Sequence, residues 1–135
     1  MLAVVAVLVA GAGVIGSKFV GSNDSDAMVD VEVPSFSQLA AKGQAAFNAN
    51  CVACHGLNGA GSKKGPPLIH KIYNPGHHGD RSFVMAARQG VRQHHWRFGN
   101  MPAQPQVSAS DITAIISYVR ELQTANGIRY EQHRM

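Results

Sequence analysis

The segment Asn50-Cys51-Val52-Ala53-Cys54-His55-Gly56 constrains this chain more than any other, because it holds every cysteine in the sequence. Two thiols three positions apart cannot build a disulfide framework, which needs several bridges spread along a small secreted fold. A structural zinc site takes four ligands, usually from two separated pairs, and no second cysteine pair exists. A thioredoxin-like redox pair is expected beside a strand in a βαβ pattern, whereas the residues before Cys51 read as helix. Covalent haem attachment is the reading that remains, with a redox or metal-binding pair as its alternative. Two thiols can add to the two vinyl groups on one porphyrin edge only if the loop between them is short. The adjacent histidine then reaches the iron from one face.

The rest of the chain is consistent with a domain that needs a non-protein staple. Its 135 residues suit one compact domain, and 15% charged residues exclude a disordered charged tail or a solvent-laced coiled coil. Leu2 to Gly16 is an apolar run without a charge or a hydrogen-bonding side chain. It has the length of a signal-peptide core and falls short of a full membrane span. Residues 1–21 therefore read as a signal peptide or an N-terminal membrane anchor, 22–34 as a polar linker, 35–127 as the folded domain and 128–135 as a tail. About a hundred residues then remain to fold, a size at which a purely protein core gives modest stability.

From the haem-attachment motif outward, the sequence resembles the class I monohaem c-type cytochromes over about residues 36–126. The resemblance implies an all-α cytochrome c fold, with three to five helices and long loops wrapped around one covalently bound haem c. The residues themselves mark three of those helices. The first runs through Phe36-Ser37-Gln38-Leu39 to Asn50, with Ser35 or Ser37 as N-cap and Leu39, Ala46 and Phe47 near helical spacing. Ser82 caps and Gly90 ends the second. Ser108-Ala109-Ser110-Asp111 opens the third, whose apolar stripe is Ile112, Ile115, Ile116, Val119 and Leu122 and whose stop is Gly127. Gly43 is out of place in a helix interior, where glycine costs about 1 kcal/mol relative to alanine. In the family, glycine and phenylalanine at these positions meet the C-terminal helix, which makes Gly43, Phe47, Ile115 and Tyr118 packing residues.

The same resemblance implies the remaining site residues. A metal-ligating histidine almost always gives its other ring N–H to an acceptor. In the family this is a proline carbonyl in a Gly-Pro-x-Leu segment, matched by Pro66 and Leu68 in Gly65-Pro66-Pro67-Leu68. Met101, in Asn100-Met101-Pro102, matches the distal ligand segment, giving His55 and Met101 as the axial pair; Met85, inside a helix, reads as core filler. Trp96 and Arg97 suit a haem propionate, since both side chains only donate. Five histidines, His70, His77, His78, His94 and His95, fall within twenty-six residues. They read mainly as polar loop residues or propionate partners, with iron ligation by His94 or His95 and an accessory copper or zinc site as alternatives.

Between Pro34 and Ser110 eight lysines and arginines face one acid, Asp80, a local balance of +7 within a formal +4 for the whole chain. Such a surface steers toward acidic docking patches on redox proteins and loses encounter rate in salt. No nucleic-acid-reading motif is present. The expectation is an exported carrier in a bacterial periplasm, free or anchored through residues 2–21, that moves one electron between larger redox complexes and transforms no small-molecule substrate. The alternatives are a haem subunit of a periplasmic dehydrogenase, and a haem sensor or copper-linked protein using the paired histidines.

Overall fold

A computed structural model describes residues 28–132; the expected signal peptide or anchor, the first part of the linker and the end of the tail lie outside the described residues. Four helices follow in order: α1 (Gln38–Asn50), α2 (Val52–His55), α3 (Asp80–Gln89) and α4 (Ala109–Ala125). Single 3-10 turns lie at Leu57–Gly59 and Lys71–Tyr73. Among the described residues there is no β-strand, only two isolated bridges, so the fold is all-α, as expected from the sequence.

The caps explain where the long helices begin. Ser37 Oγ accepts from the Ala40 amide, and Ser108 Oγ accepts from the Asp111 amide. Ser108 also donates to the Asp111 carboxylate at 2.6 Å, so both ends of the expected capping pair are engaged. Ser82 does not cap α3. That helix starts two residues earlier behind Gly79, with Asp80 in its first turn, and Ser82 Oγ donates back to the Gly79 carbonyl. An acid beside the N-terminal dipole supports the earlier start.

The core forms where α1 crosses α4. The buried face of α1 is Ala40, Gly43 and Phe47, one to two turns apart; Leu39, expected on the apolar stripe, is 46% exposed. A Cβ on Gly43 would overlap the carbonyl of Ala114, so the two backbones can approach only because that position is glycine. Phe47 and Phe36 flank the fully buried Tyr118 at ring-centroid distances of 5.4 and 5.1 Å, in tilted arrangements favoured by aromatic quadrupoles. Ile112, Ile116, Val119 and Leu122 complete the inner face of α4, while Ile115 is partly buried at its edge.

The described end of the segment read as a linker lies against this core. Val29 and Val31 pack on it, the Val29 amide donates to Ala60, and Glu32 exchanges two hydrogen bonds of 2.8 Å with the Asn126 side chain. Beyond α4, Gly127 turns the chain and Ile128 returns to the core.

Replacing Gly43 with alanine tests the crossing. Helix propensity alone predicts a gain of about 1 kcal/mol. Overlap with Ala114 predicts a net loss of about 1–3 kcal/mol. A denaturant titration of Gly43→Ala that shows stabilisation would contradict the close approach.

Candidate functional site

The motif starts directly where α1 ends. Cys51 is both the C-cap of α1 and the N-cap of α2, and its amide donates to Phe47. One turn of α2 places Cys54 and His55. Cys51 is partly buried and Cys54 exposed, and both are free thiols. Burial pushes the Cys51 thiol up to about 11, and Cys54 lies near enough to add to that rise. A thiol held protonated is a poor partner for oxidation to a Cys51–Cys54 disulfide.

His55 is oriented from behind. Its Nδ1 lies 2.9 Å from the Pro66 carbonyl oxygen. A carbonyl can only accept, so the proton sits on Nδ1 and the lone pair on Nε2. Burial lowers the His55 pKa more than the Pro66 carbonyl raises it, which keeps the ring neutral and able to ligate. The turn that presents Pro66 comes against α2: the Ser62–Gly65 bridge folds it back, and Ser62 Oγ donates to the Cys54 carbonyl.

One open cavity of about 770 Å³ collects most of the residues singled out in the sequence. Cys51, His55, Pro66, Leu68, Trp96 and Met101 all line it, whereas Cys54 does not and remains exposed beside it. Met85, expected as core filler, is 39% exposed and also lines it. Arg97 is exposed and does not line it, whereas Arg81 and Arg92 do.

Met101 is held by its backbone. Its amide and carbonyl pair with Val91 at 3.0 and 2.9 Å. Gly90, at φ 76°, both ends α3 and lets this segment approach, since a Cβ there would lie 2.5 Å from the Met101 carbonyl oxygen. Gln104 ties the following residues to α3 by donating its amide to the Ala87 carbonyl.

Three polar residues that sequence patterning did not mark support this arrangement. Gln123, 1% exposed, donates to the Leu68 and Tyr73 carbonyls and accepts from Arg120. Arg120 pairs with Asp80 at 2.9 Å and also donates to the Tyr73 and His78 carbonyls. Both lie on α4, where their only sequence signal is a polar side chain beside the apolar stripe. Burial raises the Tyr73 hydroxyl to about 12, opposed weakly by the Trp96 indole N–H.

Trp96 Nε1 also shows that the residues present fit a haem. This donor is buried and, although near enough to the Tyr73 hydroxyl to lower its pKa, it meets no acceptor in hydrogen-bond geometry. A buried N–H without an acceptor costs about 1–3 kcal/mol, so an acceptor supplied by a bound group is the natural completion. An apolar-lined hollow with a neutral imidazole, one thiol on its wall, a second thiol beside it and an orphaned indole donor suits a flat apolar macrocycle with acidic substituents.

The family model described as Cytochrome c matches residues 40–123. No curated protein and no solved structure matches the chain.

His70, His78 and His95 are each held below the ordinary histidine pKa, with burial the main cause in all three. As pH falls below about 6.5 the unfolded chain takes up protons that the folded chain resists, so stability falls on acidification. In chelator-washed protein the denaturation midpoint should be lower at pH 5.5 than at pH 7.5. Equal midpoints would contradict the burial of these rings.

Proposed function

The chain belongs to the cytochrome c family, whose haem-based electron transfer is its activity, and from that premise we propose a class I monohaem carrier with His55 and Met101 as axial ligands. One observation carries the reading: a neutral, backbone-oriented His55 and a backbone-pinned Met101 line the same cavity. Cys51 and Cys54 would hold a haem there covalently, and it would supply a one-electron ferric/ferrous couple whose potential the Met101 side chain as axial ligand would raise relative to two histidines.

The protein's own contribution is rigidity and exclusion. The Pro66 carbonyl fixes the tautomer and plane of His55, so Nε2 faces the cavity without a proton to lose. Leu68 and the inner edge of α4 give the cavity apolar walls. The Val91–Met101 pairing holds the sulfur-bearing residue in place independently of any bond to iron. Ligands set by the backbone stay put when the charge of the site changes, which suits transfer of an electron without bond rearrangement. Arg81, Arg92 and the Trp96 N–H offer donors to acidic substituents of the macrocycle.

The protein works on the outer side of an energy-coupling bacterial membrane, a placement supported by the apolar run Leu2–Gly16 and by assembly of c-type cytochromes after export. The excess of lysine and arginine between Pro34 and Ser110 favours redox partners with acidic docking patches.

Optical spectroscopy tests the ligand assignment. The ferric protein should show a long-wavelength sulfur-to-iron charge-transfer band, and the ferrous protein should bind no carbon monoxide. Met101→Ala should lose the band and gain carbon monoxide binding. Retention of the band in Met101→Ala, with its loss in Met85→Ala, would transfer the role to Met85.

A further inference from the structure

Among the described residues, a cluster of histidines brought together from two loops could hold a metal ion apart from the proposed axial ligands. His77 and His78 follow the turn at Asn74, and His94 and His95 lie in the loop before Met101. One ring nitrogen from each of His77, His78 and His95 falls within 4.8 Å of the others. We propose that His77, His78 and His95 form a tris-imidazole site for a borderline divalent cation, Zn(II) or Cu(II), on the wall of the main cavity.

One pair of rings is already at the spacing a cation needs. Zinc–imidazole bonds of about 2.0–2.1 Å in a tetrahedral site place ligand nitrogens about 3.3 Å apart. His77 Nε2 and His95 Nε2 are 3.2 Å apart. His78 Nδ1 lies 2.7 Å from the Ile72 carbonyl oxygen, which must accept, so the proton is on Nδ1 and the lone pair on Nε2. That is the outer-sphere bond by which metal-ligating histidines are oriented. Burial keeps His78 and His95 inclined to the neutral, ligating form.

Both loops are also held by hydrogen bonds that do not involve the imidazoles. The Asn74 side chain, 7% exposed, accepts from the Gly76 and His77 amides, and its backbone carbonyl accepts from the His78 amide. Arg120 holds the His78 carbonyl from α4. In the second loop, Gln93 accepts from the Gly99 amide at 2.7 Å and Asn100 accepts from the Gln93 amide at 2.9 Å. Preformed loops reduce the ordering cost of bringing three nitrogens to one ion. Three imidazoles and no carboxylate select for a borderline transition cation over magnesium or calcium. With three protein ligands the fourth position stays open to solvent.

The same 3.2 Å contact could be an imidazole–imidazole hydrogen bond, and metal titration separates the two. Full-length protein without a polyhistidine tag, carrying its haem and washed with chelator, is titrated with Zn(II) and separately with Cu(II) against a chromophoric competitor. One equivalent should bind per chain in at least one arm, and the tighter arm identifies the preferred cation. Loss of an outer-sphere partner alone weakens metal sites about 10–100-fold, so His77→Gln and His95→Gln should each lose at least about tenfold. His70→Gln should bind as the parent does, and all three variants should keep the parent haem spectrum. Absence of a retained equivalent in both arms, or affinities indifferent to His77→Gln and His95→Gln, would overturn the site. A haem spectrum altered in His95→Gln would assign these rings to the iron instead and overturn it equally.

Discussion

The close passage of α1 over the Ala114 carbonyl is the constraint on which the other parts depend. With no side chain at Gly43, α1 settles against α4 deeply enough for Phe47 to reach Tyr118. That contact fixes the end of α1 and therefore Cys51, whose amide closes the last turn on Phe47. The position of His55 follows one helical turn later, and α4, anchored by the same crossing, presents Arg120 and Gln123 to the loops that wall the cavity. A small hydrophobic core thus supports a hollow nearly as important to the fold as the packed part.

The division of labour around the hollow is physical. On the His55 side, a backbone carbonyl sets the ring's proton and plane, so the determinant is chain geometry. On the Met101 side, the determinant is also backbone, two hydrogen bonds to Val91 made accessible by a glycine. Side chains are left to shape the walls and to supply donors such as Trp96 Nε1.

Much of this was legible because it rests on local rules. Ser37 and Ser108 cap helices by short-range chemistry, and both were marked by type and position. Cys51, Cys54 and His55 fall within five consecutive residues, and the Gly65-Pro66 turn lies at a readable spacing from them. What was not legible depends on distant partners. Leu39 looks like a core residue until the crossing angle leaves it on the outer edge of α1. Ser82 is as good a cap as Ser108 in isolation, but Gly79 and Asp80 start α3 earlier. Arg97 and Arg92 are equivalent in a sequence, and only the path of the loop decides which lines the cavity. Gln123 shows only a polar side chain beside the apolar stripe, since its partners include carbonyls of a loop far back in the chain.

The Asn74 carboxamide also accepts from the amide of Glu131, at 3.3 Å, so the turn bearing His77 and His78 is stitched to the segment after α4. The backbone of that segment passes so near Gly76 that a Cβ there would overlap the Glu131 carbonyl. Trimming by a protease, or fusion of a tag just past Glu131, is therefore not a neutral edit at a remote end: it loosens one strut of the histidine turn while leaving the Cys51–His55 motif on its own helices.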